Sequence, residues 1–183
     1  GAQLKDFDWR EMDLRGATFR NCLLETIDFT GADLSNLSAT ESVFMNCNFA
    51  ASRMTAGKMP QCVFNACQGI GAVWADFELT GGGLVDCNFT RARWTGCNLD
   101  AADLREVFLR GANAAGCHAR DADLRGIVAD DARLSTWCAP GADLRSATLH
   151  GAHLDHVDLS SADPRRAAPT GAGSDQGTLC LLY

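Results

Sequence analysis

Ala102-Asp103-Leu104-Arg105 returns as Ala122-Asp123-Leu124-Arg125, then as Ala142-Asp143-Leu144-Arg145, and once more, with a proline inside it, as Ala162-Asp163-Pro164-Arg165. The interval is twenty residues each time. Repetition at a fixed interval of this size marks a chain of stacked units, each too small to bury its apolar face alone. A finer beat of five runs between the copies. The residues whose numbers end in 4 or 9 begin Leu4, Trp9, Leu14, Phe19, Leu24 and Phe29. They run without insertion to Pro164, and 31 of the 33 are apolar, the exceptions being Gly69 and Pro164.

A helix places apolar residues at spacings of 3 and 4, and a strand at 2, so neither explains a period of five. Two residues before each large apolar position the chain mostly carries Ala, Cys, Ser or Gly. The other three phases are mostly Asp, Asn, Arg, Thr, Ser and Gly. Sides of five residues with one large and one small inward position suit a square coil, and four sides make twenty residues. Each pentad then belongs to one side. The first stacks Leu4, Leu24, Phe44, Phe64, Leu84, Leu104, Leu124 and Leu144. Ala129 and Ala139 shrink the core of one coil, and Trp137, on a normally small phase, is expected to fill the space.

The chain has 183 residues, 16 basic and 23 acidic, for a formal net charge of −7. That balance argues against a nucleic-acid-binding face. No apolar run approaches the ~18 residues of a membrane helix. No charged-then-apolar leader opens the chain, so export is not expected. The start at Gly1-Ala2, without a Met, fits a segment excised from a longer protein. Seven of nine cysteines (Cys22, Cys47, Cys62, Cys67, Cys87, Cys97, Cys117) fall on the small inward phase. There cysteine acts as a small buried hydrophobe, which points to a reducing, cytoplasmic setting.

The pattern resembles the pentapeptide-repeat family, whose motif reads Ser/Thr/Ala/Val, Asp/Asn, Leu/Phe, Ser/Thr/Arg, Gly. Ala32-Asp33-Leu34-Ser35 and Cys97-Asn98-Leu99-Asp100 fit it, and the register is unbroken from residue 2 to about 163. The resemblance implies an all-β fold, a right-handed quadrilateral parallel β-helix of about eight coils. At the ~4.8 Å spacing of paired strands that is a rod of roughly 40 Å. Gly on the last pentad phase (Gly16, Gly31, Gly71 and others) suits corners that need positive φ. The repeat is expected over 1–164, with 165–183 a non-repeat tail or cap over the open end.

Little in the sequence points to chemistry. His150, His153 and His156 fall on different phases around a corner, so a metal site is not expected, nor is any other cofactor. Gly81-Gly82-Gly83 lacks the Lys-Ser/Thr of a phosphate loop. No nucleophile–base set stands out, so the chain is not read as an enzyme. Two outward features remain. Asp103, Asp123 and Asp143 stack on the first side with Arg105, Arg125 and Arg145 beside them. On the same side, nearer the N-terminus, the outward phases hold Leu23, Val43, Met45, Val63 and Val85. A contiguous apolar stripe is the expected docking place for a protein partner. A coil end or the C-terminal tail is the expected homodimer contact. The function expected is a non-catalytic scaffold. Some proteins of bacterial type VI secretion carry segments of this family, which suits a module of a larger protein. The alternative, implied by the quinolone-resistance branch, is a DNA mimic that inhibits gyrase. Duplex DNA carries one charge per ~1.7 Å, far denser than −7 over this rod.

Overall fold

Each residue of the repeat pairs with the residue twenty positions later, so the chain winds into a four-sided parallel β-solenoid. The computed structural model describes residues 1–173. Eleven three-residue strands are β1 Gln3–Lys5, β2 Thr18–Arg20, β3 Leu23–Glu25, β4 Ser38–Thr40, β5 Val43–Met45, β6 Arg53–Thr55, β7 Val63–Asn65, β8 Val73–Ala75, β9 Gly83–Val85, β10 Arg93–Thr95 and β11 Asn113–Ala115. On the first side β1, β3, β5, β7 and β9 form one parallel sheet, and on the third β6, β8, β10 and β11 form another. Beyond Ala115 the sides continue as single bridges. On the second side these rise from Asp8↔Asp28 through every coil to Thr148↔Ala168. The ladder passes the expected boundary at 164, since His153 still pairs with Gly173. The rest of the expected tail, from 174 on, lies outside the described residues.

The large inward phase is buried from Phe19 to Leu159, and burial of each such side chain is worth about 1.5–3 kcal/mol. Leu4, Trp9 and Leu14 are only partly buried, since among the described residues the first coil has a neighbour on one face alone. Rings stack along the axis, Phe29 on Phe49 at 4.7 Å and Phe44 on Phe64 at 4.5 Å. Gly69 breaks the aromatic column of the second side, and the Phe89 ring fills its place: a Cβ at Gly69 would collide with that ring. Trp137 is 3% exposed and its indole N–H donates to the Ala114 carbonyl. A cavity of about 20 Å³ remains between Trp137, Ala129 and their leucine neighbours.

The corners carry the strain. Every residue whose number ends in 1 or 6, from Asp6 to Gly171, has φ between +50° and +72°, and twenty-three of them are not glycine. The square winding therefore imposes left-handed backbone on Ala51, Ala56 and even Thr26. Most corners close with a turn bond, as from the Ala32 N–H to the Phe29 carbonyl at 2.9 Å. Corners that follow a three-residue strand lack that bond. Six of the seven repeat-phase cysteines stand there, all but Cys62. The freed N–H groups need acceptors. The Cys22 N–H donates to Ser42 Oγ at 3.2 Å, and the Cys67 N–H to Cys87 Sγ at 3.4 Å.

At the far end two prolines enter the winding. Leu144 and Leu149 donate their N–H to the carbonyls of Asp163 and Ala168, each at 2.8 or 3.0 Å. Pro164 and Pro169 occupy the same positions one coil later and have no N–H to give.

Candidate functional site

The outward residues of the first side form two columns. Strand register aligns Leu23, Val43 and Val63 in one, with Gln3 below and Gly83 above. The other aligns Glu25, Met45, Asn65 and Val85. The structure thus brings Leu23, Val43 and Val63 into contact along three successive coils and separates Met45 from Val85 by Asn65. Val63 is 38% exposed, while Leu23, Val43, Met45 and Val85 are half-buried. Parallel pairing leaves this β-branched and aliphatic column with neighbours above and below, and Val63 on it is exposed among the described residues.

Four coils hold the charged continuation of that column. Asp103 pairs with Asp123, Asp123 with Asp143 and Asp143 with Asp163. Each arginine grips its own aspartate and leans on the next. Arg105 Nη2 lies 2.6 Å from Asp103 and its Nε 3.7 Å from Asp123. Arg145 repeats this at 2.6 Å to Asp143 and 3.8 Å to Asp163. Arg125 does the same with Asp123 and Asp143. The hydrogen bond from Arg165 holds the Asp163 carboxyl down at about 2, and those from Arg105 and Arg145 lower Asp103 and Asp143. Asp8 and Asp13, bonded by Arg10 and Arg15, also lie at about 2. An open groove of about 620 Å³ runs along this corner past Arg105, Arg125, Arg145 and Arg165. The guanidinium groups of Arg105, Arg125, Arg145 and Arg165 are already committed to carboxylates, and Arg166 and Glu106 also line the groove.

The cysteines make a different ladder. Cys47, Cys67 and Cys87 are buried, and each thiol donates to a carbonyl of the coil before, those of Leu24, Phe44 and Phe64 at 3.4, 3.4 and 3.5 Å. The hydrogen bond with Cys67, together with burial, pushes the Cys47 thiol up, and burial raises Cys62 and Cys97. Thiolates are disfavoured at these three positions, which suits packing and not nucleophilic chemistry, while the hydrogen bond with Cys97 lowers the buried Cys117 thiol. Cys22 departs from the expectation of burial; it is half-exposed near the open first coil. Cys138, off that phase, is half-exposed as well. His150 lies on the second side, His153 on the third, and His156 at a corner with φ 59°. Among the described residues no group of three or more His, Cys, Asp or Glu is placed to hold a metal ion. Among them, too, no helix is long and apolar enough to cross a membrane.

Several exposed apolar residues lie away from the stripe. Ile70, Val73 and Phe108 are 46%, 36% and 44% exposed, and Phe7 and Met12 at the first coil are 45% and 44% exposed. The outward phases of Ile70, Val73 and Phe108 were readable from the five-residue beat, whereas Phe7 and Met12 hold the small inward phase and are exposed in the first coil. Val73 was not singled out, because its column places it between Arg53 and Arg93.

The family described as Pentapeptide repeats matches in eight copies, over residues 1–36, 27–65, 84–118 and 139–163. No curated protein sequence matches the chain. Among solved structures it is similar to a trypsin-treated variant of QnrB1, a plasmid-mediated fluoroquinolone resistance protein, at 19% identity over 99% of this chain and 93% of that one, with TM-score 0.49. It is also similar to HetL of Nostoc sp. strain PCC 7120, a pentapeptide repeat protein involved in heterocyst differentiation regulation. There the identity is 22% over 96% of this chain and 93% of that one, with TM-score 0.49.

Proposed function

The chain belongs to the pentapeptide-repeat family, and from that premise we propose that it is a non-catalytic scaffold holding a protein partner on its first side. The observation that carries this reading is a change of character along one continuous ladder. Outward positions read Leu23, Val43 and Val63 in the lower coils, then Asp103, Asp123 and Asp143 in the upper ones. The same backbone is thus solvated by charge where nothing docks and left apolar over three coils where a partner would sit. An apolar anchor beside a charged strip gives an interface both affinity and register. A module of a larger bacterial protein, acting in the cytoplasm, is the setting this reading implies; the thiol-rich core suits a reducing compartment. A contact between copies at the first coil, over Phe7 and Met12, belongs to the same proposal.

DNA mimicry at gyrase is the competing reading. It needs unshared negative charge along the rod, and the aspartate ladder is interleaved with arginine at 2.6 Å. Replacing Val43 and Val63 with Lys is expected to preserve the β-rich circular dichroism. It should weaken partner pull-down, or self-association measured by sedimentation, by about tenfold. Unchanged association in the double variant would move the interface off this side. In a supercoiling assay the native chain is expected to leave gyrase active; inhibition would favour mimicry.

A further inference from the structure

On the third side one outward column reads Arg53, Val73, Arg93, Asn113 and Arg133, each paired with the next one coil up. The column beside it, over the same coils, holds Thr55, Ala75, Thr95, Ala115 and Ser135. No carboxylate stands among these ten positions, in a chain of net charge −7. The flanking corners add Arg91 and Asp131 on one edge and Asp76 on the other. All three arginines of the column are exposed, and none makes an ion pair among the described residues. On the first side, by contrast, Arg105, Arg125, Arg145 and Arg165 are each tied to an aspartate. The third side therefore presents three free guanidinium groups over a shelf of short side chains.

Their spacing selects the occupant. Two coils rise ~9.6 Å, twice the strand spacing. One heptad of an α-helix rises ~10.5 Å and returns to nearly the same face. An extended strand repeats a face at ~6.6 Å or ~13 Å, and neither fits. Duplex DNA, with one charge per ~1.7 Å, would meet a chain that is acidic as a whole. We propose that the third side docks an acidic α-helix of a partner protein, lying along the rod, with carboxylates one heptad apart on Arg53, Arg93 and Arg133. Carboxylates engage arginine through paired hydrogen bonds, so register is set at three points. Val73, 36% exposed, lies in the first interval and Asn113 in the second. The helix residue midway between carboxylates is therefore apolar in the first interval and polar in the second. Asp33 stands one coil below Arg53, and His153 one coil above Arg133. The positive end of the helix dipole favours Asp33, which directs the helix N-terminus toward the first coils.

This surface is on a different side from the apolar stripe, so the two proposals fail separately. The probe is a labelled helical peptide with Glu at heptad spacing, Leu midway in the first interval and Gln midway in the second. Fluorescence anisotropy at low salt is expected to show binding to the native chain, weakened about tenfold or more by combining Arg53→Glu, Arg93→Glu and Arg133→Glu. Combining Arg20→Glu, Lys58→Glu and Arg120→Glu on the fourth side makes the same change in net charge and is expected to weaken binding less than about threefold. A peptide of the same composition with Glu five residues apart is expected to bind at least about fivefold more weakly to the native chain. Absent binding, equal loss in both triple variants, or equal binding of the two peptides would overturn the proposal. So would a duplex oligonucleotide that outcompetes the heptad peptide at the same arginines.

Discussion

Trp74 and Trp94 stack one coil apart on the third side, both fully buried, yet only one has a hydrogen-bond partner. The Trp74 indole N–H donates to Ser52 Oγ at 3.1 Å. The residue in the Ser52 position one coil later is Ala72, and the Trp94 indole nitrogen is left unsatisfied. A buried donor without an acceptor costs about 1–3 kcal/mol. Ser52→Ala is accordingly expected to destabilise by about that amount, and Ala72→Ser to stabilise by about 1 kcal/mol, both read from urea midpoints. At this scale the sequence was legible by phase but not by partner. The beat of five placed Trp74, Trp94 and Phe89 inside. It could not say that Phe89 would lean into the space above Gly69, because that depends on ring orientation across coils and not on spacing.

The corner is the element that explains the cysteines. Sequence reading put seven of them on the small inward phase and treated them as interchangeable with alanine. The structure separates them by the turn they follow: six sit where the turn bond is missing, and their sulfur atoms can accept the freed N–H of the coil below. Cys87→Ala should therefore cost about 1–3 kcal/mol by orphaning the Cys67 N–H, whereas Cys87→Ser, which restores an acceptor as Ser42 does for Cys22, should cost less. A thiol reagent applied to the native chain is expected to label Cys22 and Cys138 first. Cys47, Cys67 and Cys87 should react only on unfolding, and mass spectrometry of the labelled peptides distinguishes the two classes. Open and closed corners could not be told apart beforehand, because both carry the same residue types at the left-handed position.

For the molecule as a whole, folded shape and register followed from the twenty-residue repeat, since each side must stack like on like. The docking surfaces were less legible. The stripe was found because apolar residues on outward phases stand out, while the arginine column of the third side is interrupted by Val73 and Asn113 and shows itself only when the coils are stacked. The aspartate–arginine zipper makes the rod acid-sensitive. Asp8, Asp13 and Asp163 ionise at about 2 when folded, held there chiefly by hydrogen bonds from Arg10, Arg15 and Arg165, against about 3.9 in an unfolded chain. A carboxylate depressed in this way contributes its stability above the unfolded value and loses it as pH falls through the folded one. The melting midpoint is thus expected to be level above about pH 5 and to drop toward pH 2, with a shallower drop when Arg10, Arg15 and Arg165 are replaced by Gln. The prolines of the last described coil bear on a different hazard. A stack of parallel strands is a template at both ends, and identical rods that meet top to bottom could continue into a fibre. With Pro164 and Pro169 on two of its four sides, the last described coil withholds two of the donors that a further layer of strands would need, so extension of the stack past it is weakened on those sides.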